Sequence, residues 1–441
     1  MADNTQKLID SCIKVLKTNA SEGYTVPSRD LYPHQWLWDS CFIAIGLRHF
    51  DVKRAKQELI SLKRGAWTNG MLPNMIFHDS FLNYDHYLWQ SKLRPEAPKS
   101  FNTTGITQPP MLAEAVVKIG QKLNQPDRAE WYLTMFDCLL NYHQWLYNER
   151  DPDKDGLIIQ LHPYESGLDN SPPWMFLLDK MRFPWWIRSF RRHSLAVLIN
   201  HFRRDTEFIP SSQRIGLKEA LQCFYLVQRL NKQGYEFNPH HTKKQPVLQD
   251  VVFNSILIRA NRHLRSIAKE IHKPLPEQLL ASMNSTEKSL EKLWDEKHQQ
   301  YFSRNYFKKT LIRQNTIGTL MPLYAGSISQ QRAKVLANKL KDDRTFKTLF
   351  PVPTVPLNSR WFNSERYWQG PTWINTNWLI IEGLRIYGFD ELADDLSRTS
   401  IDLVSSSGSY EYFSPLDGSP EGAKNFSWTA ALAIDLIKSR V

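Results

Sequence analysis

Two acidic residues, Asp169 and Glu411, stand in loops that also carry aromatic and amide side chains. The first loop, residues 165–174, reads ESGLDNSPPW. Burial against aromatic rings would raise the pKa of Asp169 toward the value that a proton donor needs near neutral pH. We therefore predict Asp169 as a general acid. Glu165 remains a competing candidate, and a turn or helix N-cap is the purely structural interpretation of Asp169.

The second loop contains Glu411 between Tyr410 and Tyr412, in the sequence GSYEYFSPLDG. Tyrosine hydroxyls could orient a carboxylate or its water, and a carboxylate held in this way can act as a general base. Hydrolysis of a glycosidic bond needs such a pair, one carboxyl group on each side of the anomeric carbon. The structural alternative is a surface hairpin that turns at Asp417 and Gly418.

Trp and Tyr cluster beside Asp, Asn and Gln in several stretches of the chain. The 15 Trp, 17 Tyr and 22 Phe residues make up 12% of the sequence. A sugar has apolar C–H faces that stack on aromatic rings and hydroxyls that bind amides and charged groups. We therefore predict sugar-binding residues in the first acidic loop, in residues 32–39 (YPHQWLWD) and in residues 366–378 (RYWQGPTWINTNW). The residues predicted on this chemistry are Asn170, Trp174, Arg366, Tyr367, Trp368 and Trp373.

No metal or cofactor is predicted. Asp151, Asp153, Asp155 and Gly156 imitate the opening of a calcium loop, but position 12 is His162 instead of the bidentate Glu, so a tight acidic turn is the favoured interpretation. The four cysteines are widely separated and form no CxxC pair, which is typical of reduced, buried thiols. No Gly-rich phosphate loop is present either.

The composition indicates a folded globular chain of 441 residues, 41% hydrophobic and 23% charged. The 56 Lys and Arg against 45 Asp and Glu give a net charge of +11, but this excess is spread thinly, and a solvated basic face is favoured over nucleic-acid binding. No basic and apolar leader begins the sequence, and no apolar run approaches 18 residues. The protein is expected to be cytoplasmic, with no membrane partner, and homo-oligomerisation is left open.

Helical periodicity dominates the chain, with about a dozen helices implied by apolar stripes such as Ile256, Leu257, Ala260 and Leu264. Long polar and Pro-rich connectors separate the helices, and long loops of this kind are usually functional. No linker or break in composition divides the sequence. We predict one all-α catalytic domain over residues 1–441, a toroid of helical hairpins with its loops gathered on one rim. Residues 67–108 are a predicted lid.

These motifs, in order, resemble the mannosylglycerate hydrolase and glucosylglycerate hydrolase branch of glycoside hydrolase family 63. The resemblance implies an (α/α)6 toroid and an inverting, exo-acting α-glycosidase, with Asp169 as acid and Glu411 as base, their carboxyl groups about 6.5–9.5 Å apart. The stretches that carry the resemblance are YPHQWLWDSCFIAIGLRHFD, NGMLPNMIFH, GITQPPMLAEA, RDPDKDGLIIQLHPYESGLDNSPPW, VLQDVVFNSIL, RYWQGPTWINTNWLIIEGL and YEYFSPLDGSPEGAKNFSWTAAL. The pocket residues that it implies are Tyr32, Trp36, Asp39, Tyr84, Gln108, Tyr367 and Trp368.

Residues 175–213 do not match the family pattern residue by residue, which leaves the leaving group open. Arg203, Arg204 and Arg214 could serve an anionic one such as glycerate. The expected substrate is therefore a small α-linked glucoside or mannoside. The alternatives are an α-glucosidase, a trehalase-like or debranching hydrolase, and a sugar-binding relative without catalysis.

Overall fold

The computed structural model describes residues 2–78, 85–181, 205–243 and 245–439. In this part of the chain the helices are α1 (Ala2–Asn19), α2 (Leu37–Leu47), α3 (Val52–Lys63), α4 (Asp85–Trp89), α5 (Leu112–Gly120), α6 (Gln125–Glu149), α7 (Pro172–Asp179), α8 (Asp205–Phe208), α9 (Leu217–Lys232), α10 (Pro239–Thr242), α11 (Val251–Glu270), α12 (Glu277–Ser289), α13 (Pro322–Ala325), α14 (Gln330–Lys339), α15 (Ile374–Ile386), α16 (Asp390–Ser407) and α17 (Ser427–Lys438). The strands are β1 (Gln35–Trp36), β2 (Met75–Phe77), β3 (Asn102–Thr103), β4 (Leu248–Gln249), β5 (Trp294–Asp295), β6 (Gln300–Tyr301), β7 (Arg304–Asn305), β8 (Thr310–Leu311), β9 (Tyr410–Phe413) and β10 (Pro420–Lys424).

Six helices form a closed inner ring. In order they are α2, α5, α11, α13, α15 and α17; each contacts the next, and α17 contacts α2. An inner helix is covered on every side, so all 11 residues of α2 are buried. A helix that is apolar all round is expected in such a position.

The outer helices α1, α3, α6, α12, α14 and α16 lie against this ring and expose one face. In α16, for example, the buried positions include Ala393, Leu396, Ser400 and Leu403, at the three- and four-residue spacing of one helical face. Six inner and six outer helices give the (α/α)6 toroid that the sequence predicts. Helical periodicity also predicts a helix over residues 194–202, which lie outside the described residues.

The ring closes where the first inner helix meets the last. A Cβ atom on Gly46 of α2 would lie 2.5 Å from the backbone of Ala431 in α17 and 2.6 Å from its Cβ. Only glycine leaves room for this approach of the two helices.

The strands are short and belong to the connections between helices. β9 and β10 form an antiparallel hairpin, and β1, β2 and β3 form a small antiparallel sheet. The loop at 67–108, predicted as a lid, contains β2 and β3, while its residues 79–84 lie outside the described part. No described helix combines the length and apolarity that crossing a membrane requires.

Candidate active site

Glu411 lies on strand β9 and is 1% exposed. Its Oε2 accepts a hydrogen bond from the backbone N–H of Ala423 on β10, at 2.9 Å. Its Oε1 accepts one from the hydroxyl of Tyr32, at 2.7 Å. The predicted orientation by Tyr410 and Tyr412 was wrong, because neighbouring side chains on a strand point to opposite faces; the Tyr412 hydroxyl donates instead to the carbonyl of Gln213.

Gly422 makes room for the Glu411 carboxylate. Its φ is +68°, in the left-handed region that favours glycine, and a Cβ there would lie 2.6 Å from Glu411 Oε2. The predicted hairpin is therefore present, but Glu411 lies on its buried side and does not face solvent.

Arg214 forms an ion pair with Glu411. Its Nη1 lies 3.3 Å from Oε1 and 3.4 Å from Oε2, and its Nη2 donates to the Tyr32 hydroxyl at 2.6 Å. Because the Tyr32 oxygen accepts a hydrogen bond from Arg214, its own O–H can donate to Glu411. Arg214 and Tyr32 together hold the Glu411 carboxylate in one orientation.

Asp169 follows the 3-10 helix Pro163–Ser166 and precedes α7. Its Oδ2 accepts a hydrogen bond from the Tyr367 hydroxyl at 3.2 Å. Burial is the main cause that raises the pKa of Asp169, and the Glu411 charge adds to it. Arg214 and the Tyr367 hydroxyl lower this pKa, and the net value is about 7. Asp169 therefore retains its proton to a higher pH than an ordinary aspartic acid.

The segment 366–373 fastens the Asp169 loop to the Glu411 hairpin. At one end, Trp368 N–H donates to Asn170 Oδ1 at 3.0 Å, and Gln369 Nε2 donates to the Asn170 carbonyl at 2.7 Å. At the other end, Thr372 and Phe413 of β9 exchange backbone hydrogen bonds of 2.8 and 3.0 Å. Residues that lie far apart in the sequence are thus held at one cleft.

Eight of the predicted site residues line this cleft together. They are Tyr32, Trp36, Asp39, Gln108, Asp169, Tyr367, Trp368 and Glu411. Gln108 also accepts a hydrogen bond from the N–H of Trp38 in the first turn of α2, at 3.3 Å. Tyr84, the remaining residue implied by the resemblance, lies outside the described residues.

Asp39 is a third acid in the cleft. It lies in the first turn of α2 and is 4% exposed. Burial raises the pKa of Asp39 well above its usual range, and the charges of Glu411 and Asp169 raise it further. Asp39 therefore retains its proton to a higher pH than an ordinary aspartic acid, and in that form it can both donate and accept hydrogen bonds.

Four predicted site residues do not line the cleft. Trp174 packs in a separate apolar cluster and donates to Gln160 Oε1, because α7 turns its ring away from Asp169. Trp373 is fully buried behind Trp368, with ring centroids 3.6 Å apart. The other two are Asn170, which is fully buried and holds segment 366–373, and Arg366, which pairs with Glu219 at 2.6 Å.

Five further residues line the cleft that the sequence analysis did not name individually. Trp38 and Gly167 lie inside predicted sugar-binding stretches, while Pro27, Phe426 and Trp428 lie outside them. Trp428 and Phe426 follow the Glu411 hairpin directly, so their position in the sequence could have indicated them. No sequence signal marked Pro27.

Glu165, the competing acid, has a structural role. It is fully buried, pairs with Arg150 at 3.2 Å and accepts hydrogen bonds from the backbone of the turn that it closes. It does not line the cleft.

The acidic turn at 151–155 is held by protein groups. Asp151 accepts hydrogen bonds from the N–H groups of Asp155 and Gly156, and Asp155 pairs with Arg304 at 2.5 Å. Within 2–78, 85–181, 205–243 and 245–439, no three His, Cys, Asp or Glu side chains are arranged to hold a metal ion.

Comparison with known proteins places the chain among glycoside hydrolases. Residues 32–429 match the family model described as the mannosylglycerate hydrolase MGH1-like glycoside hydrolase domain. A mannosylglycerate hydrolase of Thermus thermophilus is 37% identical over 96% of this chain and 98% of its own length. A glucosylglycerate hydrolase of Mycolicibacterium hassiacum is 28% identical over 96% of this chain and 95% of its own.

Solved structures agree with this assignment. A crystal structure of the family 63 mannosylglycerate hydrolase from Thermus thermophilus in complex with Tris and D-glycerate superposes with a TM-score of 0.86. The two proteins are 35% identical, over 97% of this chain and 99% of the other. The chain therefore belongs to the mannosylglycerate hydrolase and glucosylglycerate hydrolase branch of glycoside hydrolase family 63, and it is a glycoside hydrolase.

Proposed function

We propose that this enzyme hydrolyses an α-hexoside of glyceric acid, mannosylglycerate or glucosylglycerate, with inversion at the anomeric carbon. The relatives named for these two substrates support the substrate class. The observation that carries the mechanism is that one cleft holds two carboxyl groups in opposite surroundings. Asp169 keeps its proton because it is buried, while Glu411 faces an arginine.

Asp169 acts as the general acid in this mechanism. Its proton passes to the glycosidic oxygen as the bond between that oxygen and the anomeric carbon breaks, so glycerate leaves as a neutral alcohol at that position. The pKa of about 7 suits this transfer, since a substantial fraction of the carboxyl groups still carry a proton at neutral pH.

Glu411 acts as the general base. It takes a proton from a water molecule whose oxygen bonds to the anomeric carbon on the face opposite the leaving group. The products are the free sugar, initially as its β-anomer, and glycerate. Asp169 ends ionised and Glu411 ends protonated, and proton exchange with solvent restores both.

The aromatic walls hold the sugar for this reaction. Trp36 and Trp368 offer ring faces, while Gln108 and Asp39 offer hydrogen-bonding groups to hydroxyls. The stack of Trp368, Trp373 and Tyr412 fixes the Trp368 ring, with Trp373 and Tyr412 centroids 4.6 Å apart. A rigid wall of this kind reduces the entropy lost on binding.

A substrate panel tests the substrate class. We expect glucosylglycerate or mannosylglycerate to be hydrolysed with a kcat/KM at least about 100-fold above that for trehalose, kojibiose or maltose, because a site built for one leaving group rejects others by such factors. Preference for one of the disaccharides would overturn the glycerate assignment.

Following the product anomer by NMR tests the stereochemistry. We expect the β-anomer to appear first and then mutarotate. Initial release of the α-anomer would require a covalent sugar intermediate and would contradict the assignment of Glu411 as a base acting on water.

A further inference from the structure

Arg214 places a permanent positive charge beside one member of the acid pair. Its side chain is 7% exposed, and its Nη1 lies within 3.4 Å of both oxygens of Glu411. A guanidinium group remains charged at every pH at which an enzyme works. Glu411 therefore has a fixed counter-ion inside the cleft wall.

The same guanidinium reaches Asp169 only indirectly. Its central carbon lies 4.3 Å from the centroid of the Tyr367 ring, and the Tyr367 hydroxyl donates to Asp169. The Arg214 charge lowers the pKa of Asp169, but burial outweighs it and leaves that pKa at about 7. One cation thus acts on the two acids unequally.

The hairpin that carries Glu411 also positions Arg214. The 3-10 turn Ser211–Gln213 precedes Arg214. The Tyr412 hydroxyl donates to the carbonyl of Gln213, and Gly422 N–H donates to Gln213 Oε1 at 3.1 Å. Arg214 and Glu411 are therefore held in register by two residues that flank the carboxylate.

We propose that Arg214 is a positioning residue that holds the Glu411 carboxylate in place as the general base, directly through Nη1 and through the Tyr32 hydroxyl. This inference rests on the proposed function. It differs from the sequence-based hypothesis that Arg214 binds an anionic leaving group, because the structure pairs the guanidinium with an acid of the enzyme.

Arg214 is a cation among the groups that interact with Glu411. In the described part of the chain these groups include Tyr32, Asp39, Asp169, Tyr367 and Tyr412. Burial raises the pKa of each of the three tyrosines and of Asp39 well above the usual range. Arg214 therefore brings a positive charge to a set that otherwise consists of acids and phenols.

The test compares Arg214→Met and Arg214→Lys with the wild-type enzyme on two substrates. One is the anionic glycerate glycoside, and the other is the matching glycerol glycoside, which has no carboxylate. The pH dependence of kcat/KM is recorded for each, and circular dichroism and thermal melting verify that the variants fold.

We expect Arg214→Met to lower kcat about 100-fold on both substrates alike, since misplacing a catalytic group costs about that much. The basic limb of kcat/KM, which reports ionisation of Asp169, should move to higher pH by about 1 unit, because the Arg214 charge lowers the pKa of Asp169. Arg214→Lys keeps the charge, so its basic limb should stay near the wild-type position while kcat falls. Added guanidinium ion should restore part of the activity of Arg214→Met.

Two results would overturn this inference. A loss confined to the glycerate glycoside would make Arg214 a binding residue for the leaving group. An equal loss on both substrates, with no shift of the basic limb and no recovery in added guanidinium ion, would leave it a purely structural role. If Arg214→Met does not fold, a loss in Arg214→Lys that is confined to the glycerate glycoside would likewise contradict the inference.

Measurements on the wild-type enzyme test the proposed substrate independently of the role of Arg214. An enzyme that hydrolyses neither glycoside but acts on another α-hexoside would refute the glycerate assignment alone. The same pH comparison on that substrate would still decide the role of Arg214.

Discussion

The loop that carries Asp169 and the hairpin that carries Glu411 each place a carboxyl group in the same cleft. The two carboxyl groups differ in the hydrogen-bond donors and charges around them. Glu411 receives a backbone N–H, a phenol and a guanidinium. Asp169 receives the Tyr367 hydroxyl, and burial raises the pKa of Asp169 to about 7. The division of labour between two carboxylic acids is thus set by the donors around each one, since donors and cations favour the ionised form and burial favours the neutral form.

Neutralising each acid in turn is the strongest test of their separate roles. Asp169→Asn and Glu411→Gln should each lower kcat on the glycerate glycoside by about 10²–10⁴-fold or more, the usual contribution of a general acid or base. With an α-glycosyl fluoride, whose leaving group needs little protonation, Asp169→Asn should recover much of its rate and Glu411→Gln should not. Steady-state kinetics on both substrates give the measurement.

Asp417→Asn is the matched control for these variants. Asp417 lies at the exposed turn of the Glu411 hairpin, where it accepts hydrogen bonds from Ser419, and asparagine can accept them too. Its kinetics should match the wild type. Equal recovery of both acid variants on the fluoride would contradict the assignment of separate roles.

A pair of glycine substitutions tests whether the hairpin's shape positions Glu411. Gly422→Ala should lower kcat about 10–100-fold, because the new Cβ would lie 2.6 Å from Glu411 Oε2 and must displace the carboxylate. Gly408→Ala imposes similar backbone strain at φ +88° but meets nothing closer than 3.9 Å. Both should lower the free energy of unfolding by about 1–2 kcal/mol, measured by denaturant titration, and an equal loss of kcat in both would count against positioning by Gly422.

Tyr367→Phe tests how the Tyr367 hydroxyl affects the pKa of Asp169. The lost hydroxyl lowers the pKa of Asp169, so its removal should raise that pKa and shift the basic limb of kcat/KM, expected near pH 7, upward by about one unit. A pH profile of kcat/KM measures this shift, and a downward shift of the basic limb would contradict the assignment.

Arg366→Gln should have the smallest effect. Its partner is Glu219, its side chain is 35% exposed, and such ion pairs contribute about 0–1 kcal/mol. We expect kcat/KM within about twofold of the wild type, since Arg366 lies outside the cleft lining. A tenfold rise in KM would instead show that Arg366 contacts the substrate.

The sequence could predict the toroid and the two acids because their signals are local. Apolar periodicity indicates each helix, and the aromatic and amide neighbours of Asp169 and Glu411 lie within a few residues of them. Trp174 shows the limit of such reasoning. It stands five positions after Asp169, yet the turn into α7 carries its ring into a separate cluster.

Contacts between distant segments could not be predicted in this way. The position of Arg214 depends on hydrogen bonds from Tyr412 and Gly422 to Gln213, which no local pattern encodes. Asn170 has the chemistry of a sugar-binding residue, but its hydrogen bonds are used to join segment 366–373 to the acidic loop.

The closure of the inner ring at Gly46 and Ala431 also constrains how the enzyme comes into being. The helix that contains Ala431 begins at Ser427 and supplies Trp428 to the cleft, so the binding site is incomplete until this helix has been synthesised. Pairing of segments so distant in the sequence slows folding, because the intervening chain must be ordered first. A nascent chain stalled before residue 427 should therefore be inactive however well its earlier helices have formed.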